Sequence, residues 1–156
     1  MTRKTAREIA VELCFAAAAN EVGMDELLAA FFEPEHYATL KSENELFDEF
    51  PDEKQMAYIR TLTAMSREKA AELDELIGRY ARGWKSERIS RTARAILRIA
   101  LVEILYMDEI PAAVAINEAV ELDKNYDEPE TVAFVNGVLG GFMRGEMPQA
   151  ETQETE

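Results

Sequence analysis

Apolar residues recur every three or four positions along most of the chain, which is the spacing of one face of an α-helix. The pattern is densest between Ile89 and Phe142, where two short polar breaks divide it into three segments. No stretch alternates apolar and polar residues over the length of a strand. The sequence therefore predicts an all-α fold with about seven helices.

The first of these three segments predicts the most buried helix of the protein. Ser90 is a suitable N-cap, and apolar residues then cover most of the helix circumference as far as Tyr106. The polar remainder is a stripe of three arginines, Arg91, Arg94 and Arg98, spaced three and four positions apart. We expect this helix to form the centre of the core and to expose the arginine stripe.

Two more helices follow, one opened by Pro111 and reaching about Lys124, the other running from the Pro129 turn to about Met143. Their predicted core residues are Val114, Ala115, Ala119, Leu122, Val132, Val135, Val138, Leu139 and Phe142. Phe134 and Asn136 lie outside this stripe, beside Gly137, Gly140 and Gly141. Because an interior glycine costs up to about 1 kcal/mol relative to alanine, we expect the glycines to serve close packing or contact.

The first half of the chain predicts shorter elements. Thr5 and Glu8 fit a capping box, so the first helix is expected to run from Thr5 to about Ala19. A short helix after Gly23 should end at Glu33, and the acidic segment 33–51 is predicted to be a connection with at most one short helix. Residues 52–81 predict either one long helix or two helices in succession.

Two features lie outside the helical pattern. Trp84 follows Gly83 in a linker and is predicted to anchor that linker on the core, with partner binding as the alternative. Residues 146–156 are acidic and hold one large apolar residue, Met147. We expect a single helical domain over residues 1–145 and a disordered tail after it.

Length and composition indicate a globular protein away from membranes. A chain of 156 residues with 47% apolar residues is long enough for one domain with a hydrophobic core. No run approaches the roughly 18 apolar residues of a membrane span, and the N-terminal residues lack the order of a signal peptide. We expect a cytoplasmic protein without a membrane partner.

The residues that usually carry catalysis are scarce. One cysteine, Cys14, cannot form an internal disulfide, and one histidine, His36, cannot build a conventional metal site. There is no Gly-rich phosphate loop, and Glu118 with Glu121 fits a solvated helix face better than an acid/base pair. The sequence predicts a binding protein that is not an enzyme and needs neither a metal nor a cofactor.

Positive charge is confined to two segments of an acidic chain. The net charge is −14, but residues 1–20 sum to +1 and residues 79–98 to +6. Screening limits each charge to about 10 Å, so a local basic patch can attract a polyanion. Two interpretations stay open: these cations bind single-stranded RNA together with nearby aromatic rings, or they pair with neighbouring acids.

Four ordered motifs carry a family resemblance. They are AREIAVELCF at 6–15, ILRIALVEI at 96–104, VAINEAVELDK at 114–124 and FVNGVL at 134–139. In this order and spacing they resemble the NusB family of bacterial transcription antitermination factors. The resemblance implies a non-enzymatic, all-helical domain of two antiparallel helical subdomains. It also implies binding of boxA single-stranded RNA with a small-subunit ribosomal protein in the NusE role, within the RNA polymerase elongation complex with other Nus factors.

The resemblance also assigns site residues. The basic opening of the family falls on Arg3, Lys4 and Arg7, its first-helix aromatic on Phe15, and its FVNG motif places Phe134 and Asn136 near the RNA path. Contacts with the partner protein fall loosely on Tyr80, Glu87 and Arg88. Some family members form homodimers, so the oligomeric state stays open.

Three departures from the family pattern concern RNA affinity. The N-terminal arm has only three cations, Ala133 precedes FVNG where a polar or basic residue is usual, and Ala93 replaces an acid. We therefore expect weak RNA binding alone and stronger binding with the partner. Two alternatives remain: a helical protein-interaction module with weak or lost RNA binding, or an RNA-targeting domain related to ribosomal-RNA cytosine methyltransferases. The second is disfavoured because no cofactor-binding βαβ unit is present.

Overall fold

The computed structural model describes residues 1–147, and these residues form helices joined by turns, without a strand. The all-α prediction is confirmed, with eight α-helices in the described part where about seven were expected. They are α1 (Arg3–Asn20), α2 (Met24–Phe31), α3 (Pro34–Leu40), α4 (Glu53–Glu68), α5 (Ala70–Tyr80), α6 (Arg91–Tyr106), α7 (Ala112–Asp123) and α8 (Pro129–Glu146). Two 3₁₀ turns lie at Glu45–Phe47 and Ser86–Arg88.

The described residues divide into two compact units, one over residues 1–68 and one over residues 69–147. This confirms the two helical subdomains that the resemblance implied. Residues 52–81 form two helices, α4 and α5, because Lys69 leaves helical geometry with φ −97° and ψ 12°. The predicted disordered tail covers residues 146–156, and its part after Met147 lies outside the described residues. Its disorder stays a prediction. None of the described helices is long and apolar enough to cross a bilayer.

In the first unit, α1 packs along α4, and α2 contacts both. Ile9, Leu13, Ile59 and Leu62 are fully or almost fully buried at this junction. The predicted start of α1 is wrong by two residues, because Thr2 rather than Thr5 is the N-cap. The Thr2 hydroxyl accepts a hydrogen bond from the backbone N–H of Thr5 at 3.1 Å.

Segment 33–51 is held in place by aromatic side chains. α3 is the one short helix allowed for this segment, and a 3₁₀ turn follows it. Tyr37 packs against Phe32, Phe47 and Phe50 with ring centroids 5.1–5.9 Å apart. Its hydroxyl donates a hydrogen bond to the carbonyl of Glu49, and burial raises the pKa of Tyr37 to about 12. These contacts give the segment a fixed path that its polar sequence does not show.

In the second unit α6 is the central helix, packed by α5, α7 and α8. The Ser90 hydroxyl caps it by accepting a hydrogen bond from the N–H of Ala93 at 3.0 Å, as predicted. Pro111 is the N-cap of α7 and not its first residue, whereas Pro129 is the first residue of α8. Gly83, in the turn after α5, has φ +80°, a left-handed conformation that favours glycine.

The core prediction for α7 and α8 is wrong at two valines. Val114 is 45% exposed and Val132 is half-buried. Phe134, which was expected outside the buried stripe, is only 7% exposed. Phe134 is buried because Trp84, in the linker after α5, stacks on its ring. Helical periodicity does not predict a contact of this kind.

Candidate nucleic-acid interface

The three cations at the start of α1 differ in their surroundings. The Arg3 guanidinium lies 3.8 Å from the centroid of the Tyr58 ring, and the Arg7 guanidinium lies 5.9 Å from the same centroid. Arg7 is 4% exposed, Arg3 is half-buried and Lys4 is exposed. A cation over an aromatic face is held by the ring quadrupole. Of these three cations, the exposed Lys4 and the half-buried Arg3 are therefore the ones that a phosphate can reach.

The amino terminus is neutralised beside these cations. The Met1 ammonium donates a hydrogen bond to the Glu49 carboxylate at 2.6 Å, and this bond raises the pKa of the terminal amine. The contact fixes the two residues that precede α1. Positive charge at this end of the helix consequently comes from side chains and from the free N–H groups of the first turn.

Phe15 lies on the exposed side of α1 and keeps 39% of its surface accessible. Most large apolar side chains of this unit are buried, so an exposed phenylalanine on its longest helix is a candidate contact. A flat ring in this position can stack on an unpaired base. The structure thus leaves Lys4 and Phe15, both on α1, accessible to a ligand.

Phe134 is not accessible in the same way. Its ring stacks on Trp84 with centroids 4.6 Å apart and planes 29° apart. The guanidinium of Arg88 lies 5.1 Å from the centroid of the Trp84 ring. The prediction that Trp84 anchors the linker is confirmed, and the prediction that Phe134 is exposed is wrong. Asn136, two residues further along α8, is exposed.

Tyr80 is half-buried against two glycines of α8. At Gly141 a Cβ would lie 3.3 Å from Cδ1 of the tyrosine, and at Gly145 it would overlap the ring. Gly137 has open space around it. Close packing against Tyr80 therefore explains the glycines at 141 and 145. The other two predicted partner-binding residues, Glu87 and Arg88, lie on the linker and are exposed.

The arginine stripe of α6 is largely paired. Arg98 makes a bidentate contact with the Asp74 carboxylate of α5 at 2.8 and 2.6 Å, and Arg94 lies 3.4 Å from the same carboxylate. The side chains of Arg94 and Arg98 are 21% and 22% exposed, whereas Arg91 is exposed. The expectation of an exposed stripe is wrong for two of its three members, and the alternative of pairing with acids is confirmed for them.

A groove along α7 and α8 was not predicted from the sequence. It consists of two adjoining cavities of about 370 and 520 Å³ that share Val120 and Asn136 in their lining. Its other apolar lining residues are Ala113, Ile116, Val132 and Ala133. Asn117, which the helical pattern assigns to a polar surface, lines the first cavity together with Arg144.

Asp123, the last residue of α7, is fully buried. No donor within residues 1–147 reaches either of its carboxyl oxygens. Burial, followed by the nearby Asp127 carboxyl, raises the pKa of Asp123 to about 8. Asp127 itself accepts a hydrogen bond from the Ser90 hydroxyl at 3.2 Å. Burial therefore favours the protonated, neutral form of the Asp123 carboxyl at neutral pH.

These features define a helical binding protein of two compact units, with accessible cationic, aromatic and amide side chains and a largely apolar groove that carries two amides. The model of the NusB family matches residues 4–144, and the chain belongs to this family. It is 36% identical over 156 residues to the transcription antitermination protein NusB of Ruminiclostridium cellulolyticum, covering 100% of this chain and 97% of that protein. It is 39% identical over 146 residues to the transcription antitermination protein NusB of Carboxydothermus hydrogenoformans, covering 90% of this chain and 91% of that protein.

Solved structures show the same fold. NusB of T. maritima superposes with a TM-score of 0.77 at 26% identity and covers 98% of both chains. A chain from the crystal structure of the antitermination factors NusB and NusE in complex with double-stranded RNA gives a TM-score of 0.70 at 20% identity, covering 91% of this chain and 96% of that one. The fold and the family membership therefore agree.

Proposed function

We propose that the protein is a transcription antitermination factor that binds boxA-type single-stranded RNA together with a small-subunit ribosomal protein in the NusE role. It acts by binding and not by catalysis. The observation that carries the proposal is the family match over residues 4–144, together with relatives of this name that align along nearly their full length. The same fold occurs in a solved complex of NusB and NusE with double-stranded RNA, which supports NusE and RNA as the classes of partner.

The described side chains support RNA contact at α1. Lys4 is exposed and Arg3 is half-buried, so both cations are accessible to phosphates, and Phe15 offers a ring for stacking. Arg7 is buried beneath this surface, and its guanidinium lies 5.9 Å from the centroid of the Tyr58 ring. A surface with so few accessible cations favours weak binding alone, so a second protein that supplies further phosphate contacts should strengthen the complex.

The linker before α6 supports partner binding. Glu87 and Arg88 are exposed there, and the linker is fixed by Trp84 on one side and by Tyr80 at the end of α5. A rigid, charged linker suits a protein contact because little conformational entropy is lost on docking. Through this partner the protein would join the RNA polymerase elongation complex with other Nus factors, in the cytoplasm. A homodimer that masks the RNA surface, as some family members form, would compete with these contacts.

A fluorescence-anisotropy titration tests the proposal. Labelled boxA-type RNA and a scrambled RNA of equal composition are titrated with the protein, with and without the ribosomal protein, across a series of salt concentrations. We expect weak preference for boxA alone and a clear gain with the partner. Equal affinity for both RNAs in both states would contradict the proposal.

A second candidate function is a protein-interaction module that has lost RNA binding. Two observations favour it: Arg94 and Arg98 are paired with Asp74, and Phe134 is covered by Trp84. This alternative predicts normal binding of the ribosomal protein and no detectable gain of RNA affinity on its addition. The full-length alignment with proteins named for antitermination favours either function over a methyltransferase-associated domain.

A further inference from the structure

The groove along α7 and α8 combines an apolar floor with two amide side chains. Val120 and Ile116 form part of the floor, Asn117 lines the first cavity, and Asn136 lines both. Among the described residues neither amide has a side-chain hydrogen bond. Each amide therefore keeps its two N–H donors and its carbonyl acceptor for a ligand.

One end of the groove carries a cation without an acidic partner in the described part of the chain. The Arg144 guanidinium lies across Gly140, where a Cβ would come within 3.2 Å of Nη1. At the other end Lys124 is paired with Glu121 at 2.7 Å, and Asp127 is bonded to Ser90. Arg144 is thus the charged group of the groove that is available to an anion.

We infer that this groove receives unpaired bases of single-stranded RNA, with Asn117 and Asn136 contacting base edges and Arg144 contacting a phosphate. The inference rests on the proposed function and adds Asn117 and Arg144 to its site. A base is flat, apolar on its faces and polar at its edges, which matches aliphatic walls with amides at their rim. An aliphatic peptide would fill the floor but would leave the guanidinium without an anion.

The groove also favours single-stranded over double-stranded RNA as its ligand. In a duplex the Watson–Crick edges are occupied and the bases are stacked, so they cannot enter a groove between two helices. An amide can form two hydrogen bonds with one base edge and thereby distinguish between bases. The groove would then contribute sequence preference, while Lys4 and Arg3 on α1 contribute affinity that does not depend on sequence.

A base-substitution series tests the inference. Anisotropy titrations compare boxA-type RNA with oligomers changed at one base each, using the full-length protein with the ribosomal protein. The variants are Asn117→Ala, Asn136→Ala and Asn125→Ala; Asn125 is an exposed asparagine that does not line the groove. We expect Asn117→Ala to reduce discrimination at one base position by roughly 5- to 150-fold. Asn125→Ala should leave discrimination unchanged.

Arg144→Ala provides a second, independent measurement. It should weaken binding to all oligomers alike and reduce the slope of log affinity against log salt by about one. Because Asn117 and Arg144 are exposed, thermal unfolding of both variants should match the wild-type protein. Asn117→Asp keeps the shape of the side chain and removes its donors, so it should lose discrimination as well.

The outcomes separate this inference from the proposed function. If the wild-type protein prefers boxA and Asn117→Ala retains discrimination at every base, the groove inference is overturned and the proposed function stands. If the wild-type protein shows no preference in any state, both fail. If Asn117→Ala weakens binding of the ribosomal protein in the absence of RNA, the groove docks protein, and the inference is likewise overturned.

Discussion

The two sets of residues expected to meet RNA use the same residue types and have different surroundings. On α1, in the first unit, Lys4 and Phe15 face solvent. In the second unit, Arg98 is paired with Asp74 and Phe134 is covered by Trp84. Both sets contain residue types that can bind RNA, but only the side chains of the first set are accessible to a ligand. The second set contributes to the stability of its own unit.

The difference has a physical basis in solvation. A guanidinium that is one-fifth exposed and bonded twice to a carboxylate has already exchanged its water for a protein partner. An RNA phosphate would have to displace that carboxylate, whereas Lys4 has only water to lose. The comparison predicts that substitutions of Phe134 or of the Arg98–Asp74 pair lower stability first, and those of Lys4 or Phe15 on α1 lower RNA affinity first.

Phe134→Ala should have the largest effect. Removing a buried aromatic ring that stacks on Trp84 should lower the free energy of unfolding by about 3–5 kcal/mol. Phe15→Ala is the matched comparison: the ring is 39% exposed, so its loss should cost less, about 1–2 kcal/mol, while weakening RNA binding. Denaturant titration and anisotropy measure the two effects. Equal stability losses would contradict the contrast between the two rings.

Asp123→Asn should stabilise the protein in a manner that depends on pH. The ordinary pKa of 3.8 is raised to about 8 by burial, so between these values the folded chain holds a proton that the unfolded chain releases. The free energy of unfolding therefore falls as pH rises from about 4 to about 8 and levels off above that. The asparagine variant should be more stable than wild type by about 1–3 kcal/mol at high pH, with a smaller difference near pH 5.

Urea titrations between pH 5 and pH 9 measure this difference. The exposed Asp108 offers a matched control, since Asp108→Asn should change stability little at any pH. A constant difference between wild type and Asp123→Asn across the range would rule out a buried carboxyl that is protonated near neutrality.

Asp74→Ala should lower stability by about 1–2 kcal/mol, between the values for exposed and buried ion pairs. The change leaves Arg94 and Arg98 without their common carboxylate, so it should also raise affinity for RNA of any sequence. Glu75→Ala, which removes an exposed acid near Arg79, is the control. Unchanged stability would show that this triad contributes little to the fold.

Lys4→Ala should have the smallest effect and the most specific one. Loss of one phosphate contact should weaken RNA binding a few-fold and reduce the salt slope by about one, with thermal stability unchanged. Arg91→Ala removes an exposed cation from the second unit and serves as the comparison. Equal losses for both variants would place RNA contacts on the α6 stripe after all.

The sequence predicts local features of this fold well. Ser90 was identified as a cap because the hydroxyl and its N–H partner are three residues apart, and the burial of α6 follows from its own apolar residues. The start of α1 was placed wrongly because Thr2 and Thr5 both carry a suitable hydroxyl, and only the backbone conformation decides between them.

The features that the sequence does not predict all depend on distant partners. Asp74 precedes Arg98 by 24 residues and lies on another helix, so spacing along the chain gives no sign of the pair. Trp84 and Phe134 are separated by 50 positions. The groove depends on how α7 and α8 lie side by side, which turns Asn117 from a surface residue into a lining residue. A single sequence specifies the faces of its helices but not what covers them.

Trp84 is the single tryptophan of the chain, and this makes its stack on Phe134 a spectroscopic reporter. Its indole emission depends on the Phe134 ring of α8, on the Arg88 guanidinium of the linker before α6, and on the water around them. A ribosomal protein that engages Arg88 should shift the wavelength or intensity of this emission. The intrinsic fluorescence of the unlabelled protein can thus follow assembly with its partner in real time, without a dye on either molecule.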